Sequence, residues 1–232
     1  MSDTEEYDEF VVSSIRIRSA QMSDRRKPQI SQRKQPQQTR STELVSYILE
    51  AAVQVLKEEG AVRFTSARVA EAAGVSVGSL YQYFPNKAAI LFRLQSDEWQ
   101  ATLNLIRGIL EDGSRSPSER LRTLVQEFVR SECDEATMRI ALNDAAPLYR
   151  DAPEAQEAKV EATRAIRSFM REALPHATEE KRAETGDLIT MTLSTTGKQF
   201  SESPRNTDEI KAFADSMADM FCAYIESLNR ES

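Results

Sequence analysis

The chain's 232 residues are 40% hydrophobic, with little strand-type alternation and abundant Ala, Leu, Glu, Gln and Arg, which favours an all-α protein with a sizeable core. No run approaches about 18 apolar residues and the acidic start lacks the apolar region of a secretory signal, so a cytoplasmic protein without a membrane span is expected. The formal charge of −7 argues at first sight against a nucleic-acid partner, but residues 16–97 carry 13 bases against seven acids. Residues 1–15 carry five acids and no bases, and residues 98–232 carry 25 acids against 17 bases, so the positive balance is confined to one section.

Residues 1–40 have few periodic apolar positions and are rich in Gln, Ser, Arg and Lys, the composition of an extension disordered in isolation. Arg25, Arg26, Lys27, Arg33, Lys34 and Arg40 form a basic arm suited to phosphates or a minor groove; the bland alternative is a solvated tail. The acids from Asp3 to Glu9 either screen this arm or precede a true start at Met22.

Ser41 can cap a helix reaching about Glu59, with Leu44, Tyr47, Ile48, Ala51, Ala52, Val55 and Leu56 on its buried side and Gly60 as its stop. Thr65 can cap the next helix, Ser66–Ala73, which Gly74 ends as the left-handed residue that only glycine supplies cheaply. Ser76 caps again, Val77 to Phe84 makes a second short helix, and Pro85 closes it. Val69, Ala70, Ala73, Val75, Leu80 and Phe84 would lock the two at an angle, which is helix-turn-helix geometry with the second helix in the major groove.

With Leu80 and Phe84 inward, the outer face of that second helix falls to Val77, Gly78, Ser79, Tyr81, Gln82 and Tyr83. Gln82 is the best base reader, because its amide both donates and accepts at an adenine edge. Ser79 can reach a base edge, Val77 can pack on a thymine methyl, and Gly78 lets the backbone come close. Ser76, Tyr81, Tyr83 and Lys87 suit phosphate anchoring, with Thr65 adding a contact from the first helix of the unit. A core role is the competing reading for the tyrosines, Tyr81 above all. The helix has no arginine, so bidentate guanine reading is not expected from it.

AGVSVGSLYQYFPNK, residues 73–87, resembles the signature of TetR-type transcriptional regulators, with the Gly74-Val75-Ser76 turn, Gly78, Leu80, Tyr81, Tyr83, Phe84 and Lys87 in unbroken register. The resemblance extends from about residue 41 to residue 95. It implies a three-helix DNA-binding head at 41–88 and a larger helical ligand-binding and dimerisation domain at 89–232. The double-stranded DNA operator would then be released when a small-molecule effector moves the helix after the head.

That fourth helix starts near Asn86 or Lys87 and carries Ile90, Leu91, Leu94, Leu105 and Ile109. Ser116-Pro117-Ser118-Glu119 is a capping box opening a helix with Leu121, Leu124, Val125 and Phe128. Further helices are expected from Ala136 to Ala146 before Pro147, from the Asp151-Ala152-Pro153-Glu154 cap to Leu174, from Thr178 to Phe200, and from Asn206 or Thr207 to Leu228. The total is about nine helices.

The last helix carries a sustained stripe, Ile210, Phe213, Ala214, Met217, Phe221, Tyr224, Ile225 and Leu228, and the one before it carries Leu188, Met191, Thr192, Thr195 and Gly197, whose small residues would let another helix approach closely. The resemblance implies that they dock on their copies as a four-helix homodimer interface through Met191, Thr195, Phe213, Met217, Phe221 and Tyr224; burial within one protomer is the alternative. It also implies an effector pocket, for which Phe128, Met138, Tyr149, Phe169 and Met191 are candidates, each equally at home in plain core. Cys133 and Cys222 read as buried thiols.

An enzyme finds little support. The lone His176 follows Pro175 at a helix boundary, and no phosphate loop, metal-spaced set or nucleophile motif appears, so no cofactor or metal is expected. The remaining alternatives are a helical ligand-binding or protein-interaction dimer that does not act on DNA, and an activator of the same fold.

Overall fold

The computed structural model describes residues 39–145 and 153–231; the basic arm up to residue 38, the Pro147 stop, Tyr149 and the Asp151 cap lie outside them. The described residues form helices only: α1 Thr39–Arg63, α2 Ser66–Ala72, α3 Val77–Tyr83, α4 Lys87–Leu110, α5 Pro117–Asp134, α6 Ala136–Ala145, α7 Pro153–Ala173, α8 Glu179–Ser201 and α9 Thr207–Glu231. The all-α fold is as expected. α1 starts two residues before Ser41, and its regular course ends at Gly60, where φ is 72° and ψ 172° before one last turn to Arg63.

Apolar residues collect in two cores. The first joins Ile48, Ala52, Val55 and Leu56 of α1 to Phe64, Val69, Ala70, Leu80, Tyr83, Phe84 and the start of α4. It continues past residue 88 through Ala89, Ile90, Leu91, Phe92 and Leu94. It also takes in Ala141 and Leu142 of α6, an element far downstream that packs along α1. Tyr47 is 57% exposed, contrary to expectation. The buried stripe of α1 runs through Val45, Ile48, Ala52 and Val55, and Tyr47 lies about 100° around the helix from Ile48.

The second core holds α5, α7, α8 and α9 around Leu121, Leu124, Val125, Val129, Phe169, Met170, Ile189, Leu193 and Phe221, with Leu110 from the end of α4. The α5 capping box forms as expected: the Glu119 N–H donates to Ser116 Oγ at 3.3 Å, and the Ser116 N–H donates back to Glu119 Oε2 at 2.8 Å. Asn206 and Glu209 make the same exchange at the start of α9, both at 2.9 Å.

Two arginines tie helices together. Arg120, only 3% exposed, donates to the Leu110 carbonyl at the end of α4 and to Glu172 on α7, and its guanidinium lies 5.4 Å from the Phe169 ring centroid. Arg139 on α6 pairs with Glu132 on α5, with Glu98 on α4 at 3.5 Å and with Glu135 at 3.4 Å. Burial pushes the Arg139 pKa down while Glu98 opposes it, and burial followed by Glu98 pushes the Glu135 carboxyl up. α6 is thus tied to both parts: by Ala141 and Leu142 to the first core, and by Arg139 to Glu132 on α5.

Candidate nucleic-acid interface and effector cavity

The recognition unit is built by local signals acting in sequence. The Arg68 N–H donates to Thr65 Oγ1 at 3.3 Å and starts α2. At its end Gly74 takes φ 66°, its N–H reaches the Glu71 carbonyl at 3.0 Å, and the Val75 N–H reaches the Ala70 carbonyl at 2.9 Å. This is the double carbonyl capture of a Schellman motif, and it needs the left-handed residue that glycine provides. It delivers Ser76 straight to the next N-cap, where Ser76 Oγ accepts from the Ser79 N–H at 3.0 Å. Phe84 is extended before Pro85, and Asn86 Oδ1 accepts from the Ala89 N–H at 3.0 Å to begin α4.

α3 has only seven residues, too few to hold a helix alone, so its orientation comes from Leu80, Tyr83 and Phe84 in the first core. Val77, Gly78, Tyr81, Gln82 and Lys87 are exposed, and Ser79 is partly so. Ser79 and Ser76 are hydrogen-bonded oxygen to oxygen at 2.8 Å. Thr65 and Ser76 are exposed while serving as caps. The exception is Tyr83, 6% exposed against 41% for Tyr81. Tyr83 stands three residues after Leu80 and so shares its inward face, a relation the i, i+3 spacing already contains. Of the two tyrosines, Tyr83 is the core residue and Tyr81 the surface one.

A cavity of about 490 Å³ lies among α4, α5, α7 and α8. Phe128, Phe169 and Met191 line it, as expected. Met138 does not: it packs against the first core, because α6 belongs to the α1 side of the molecule. On α7 only Phe169 was expected; Lys159, Thr163 and Arg167 also line the cavity there, together with Ile166 and Met170. Their spacing of four residues was the available signal, a polar stripe running beside an apolar one.

Gly197, expected to admit another helix, is buried in its own protomer, where a Cβ would come within 3.3 Å of Phe128 Cε1. Met217 and Phe221 are likewise buried in the protomer's second core, Phe213 stacks on Phe200 at 3.9 Å between centroids, and Tyr224 is half-buried. Met191 and Thr195 are exposed, and Leu188 on α8 and Met220 on α9 are further large apolar side chains left at the surface. Cys222 is buried as expected and Cys133 partly so; burial pushes the Cys133 thiol up. No helix among the described residues is long and apolar enough to cross a membrane.

Comparison with known proteins gives this geometry its family. Residues 48–94 match the family described as "Bacterial regulatory proteins, tetR family", and residues 116–228 match "Tetracyclin repressor-like, C-terminal domain". A nucleoid occlusion factor SlmA from Vibrio campbellii is 38% identical over 79 residues, covering 34% of this chain and 40% of that protein. The chain thus spans less than half the length of that relative. A TetR-family regulator from Mesorhizobium loti superposes with a TM-score of 0.63 at 17% identity, over 81% of this chain and 98% of the other. The transcriptional regulator FadR from Bacillus subtilis, in complex with stearoyl-CoA, gives 0.59 at 17% identity, over 77% of this chain and 97% of the other. With both halves of the fold matched in order, the chain belongs to the TetR family of DNA-binding transcriptional regulators.

Proposed function

We propose that the protein is a homodimeric repressor that leaves a palindromic operator when a small molecule fills the cavity among α4, α5, α7 and α8. The observation that carries this reading is the pairing, in one chain, of a capped and exposed recognition helix with a 490 Å³ cavity, a size typical of small-molecule sites. Gln82 reads an adenine edge, Ser79 and Val77 touch neighbouring bases, and Gly78 allows close approach. Thr65, Ser76, Tyr81 and Lys87 hold the sugar-phosphate backbone. The second copy docks on the outward faces of α8 and α9, where Leu188, Met191, Thr195 and Met220 are exposed. This face replaces Met217 and Phe221, which the protomer's own core occupies. Two heads about one helical turn of DNA apart would then meet two half-sites.

Because Arg139 joins α6 to α4 and α5 while Leu142 of the same helix sits in the head core, a ligand that shifts Phe128 on α5 has a packed route to the recognition unit. The experiment is to incubate the purified full chain with sheared genomic DNA from its source and sequence the retained fragments. Enrichment of short palindromes upstream of genes supports the repressor. Enrichment of sites dispersed along the chromosome, away from promoters, favours the second reading, suggested by the SlmA relative, of a nucleoid occlusion factor that binds DNA without regulating neighbouring genes. No enrichment at low salt would leave a ligand-binding dimer that does not act on DNA.

A further inference from the structure

We infer that the ligand of the cavity is an amphiphile with one anionic head, its apolar body on the floor between α5 and α7 and its head held at the mouth by Lys159 and Arg167. The inference rests on the effector reading above for its regulatory consequence, not for the binding itself. The floor is hydrocarbon: Leu121, Leu124, Phe169, Met170 and Leu193 line it and are all buried. A long, apolar body is what such a floor removes from water most favourably.

The mouth is different. Lys159 and Arg167 are both exposed and stand eight residues apart on α7, about 12 Å along its axis, with Thr163 between them. Neither takes part in an ion pair among the described residues. Asp187 of α8 also lines the cavity and is exposed, so the charged lining is two positive groups and one negative. A cationic head would meet two like charges, and a neutral one would leave both donors to water. One carboxylate or phosphate gains charge-assisted hydrogen bonds from the guanidinium or ammonium, while Asp187 opposes a second anionic group.

The spacing of the floor depends on Gly186. A Cβ there would come within 3.1 Å of Ile166 Cγ2 and 3.3 Å of Met170 Cγ, both on the cavity wall. α8 therefore approaches α7 closely at the point where the apolar body must lie.

The test is calorimetric titration of the full chain, without DNA, with four probes sharing one chain length: dodecanoate, dodecyl phosphate and dodecyltrimethylammonium below their micelle concentrations, and dodecanol below its solubility limit. The expected result is binding of one or both anions at least about tenfold tighter than dodecanol, with the cation weakest. Preference between carboxylate and phosphate identifies the source of the head. In the double variant Lys159→Gln/Arg167→Gln, whose positions are exposed and tolerant, the anion should fall to the level of dodecanol while dodecanol itself is unchanged. Equal binding of anion and alcohol by the unaltered chain, an anion preference that survives in the double variant, or no binding of any probe would overturn the inference. Operator DNA that stays bound when dodecanoate saturates the protein would sink effector release and leave the ligand class standing.

Discussion

The head and the regulatory part are both helical, but they are held by different means. In the head, order runs from one residue to the next: Thr65, Gly74, Ser76 and Asn86 each cap or stop a helix through a bond spanning a few residues. In the regulatory part the decisive contacts join distant positions. Arg120 reaches Glu172, Arg122 reaches Asp219, Gln126 reaches Asp215, and Asn229 donates to the Ala173 carbonyl. In the short recognition motif the same few residues set the caps and the turn and stand at or beside the exposed face of α3. A chamber built from long-range contacts can change its lining while the helices keep their places.

That contrast is sharpest, and most easily broken, at Leu80 and Leu142. Both are fully buried in the head core, one inside the motif and the other on α6. Leu80→Ala and Leu142→Ala should each cost about 2–5 kcal/mol by the transfer and cavity effects of a lost buried side chain. Denaturant titration gives the loss, and DNA retention should fall with it in both. If Leu142→Ala leaves the head's stability untouched, the head is locally determined throughout and the bridge through α6 is not structural.

Gln82→Ala probes the surface of the motif rather than its core. It should relax preference at one or two base pairs, costing about 1–3 kcal/mol on the preferred site and little elsewhere, read from a binding series over site variants. An unchanged base preference would remove Gln82 from the reading face. Gly74→Ala isolates the turn: nothing lies within 4 Å of the added Cβ, so the cost of about 1–2 kcal/mol is backbone strain at φ 66° alone. Gly74→Asn should recover part of that loss, and thermal unfolding of the two variants compares them directly.

The smallest expected effect is on the pH dependence of the regulatory part. Hydrogen bonds from the Ser116 side chain and backbone hold the Glu119 carboxyl below its ordinary value. Asp112, Glu179 and Asp215 are lowered in the same way by Ser114, by Arg171 with Arg182, and by Lys211 with Gln126. A carboxyl lowered in the folded state contributes stability above its unfolded pKa, and that contribution is lost as pH falls through the folded value. Glu135 is raised and acts with the opposite sign: its contribution is present at acid pH and is lost as pH rises. Four groups against one should give a net loss of stability as pH falls below about 4.5, the ordinary glutamate value. Glu119→Gln should flatten part of that loss in thermal unfolding, and an unchanged pH profile would show that the cap carries no such linkage.

Much of this was legible in the residues themselves. The Gly74 stop, the Ser76, Asn86, Ser116 and Thr178 caps and the helix order follow from hydrogen-bonding rules that act within a few residues, so no tertiary information is required. The same rules left Tyr47 and Tyr83 misplaced, because which side of a helix is buried depends on what packs there. Tyr47 falls outside the stripe that meets α4 and α6, and Tyr83 falls inside the one set by Leu80.

What only the tertiary structure decided is the company each apolar residue keeps. Met138 resembles Phe128 and Met191 in sequence as a pocket candidate, yet α6 turns back on α1 and carries Met138 to the head core. Met217 and Phe221 look like an interface stripe, but they are buried in the protomer's own second core, and the exposed side chains are Leu188, Met191 and Met220. Hydrophobic burial is non-directional, so a sequence determines that such residues will leave water without determining against which partner. Capping is directional and short-ranged, and for that reason the sequence by itself determined the DNA-facing motif, while the cavity and its basic rim waited for the packing of α7 against α8.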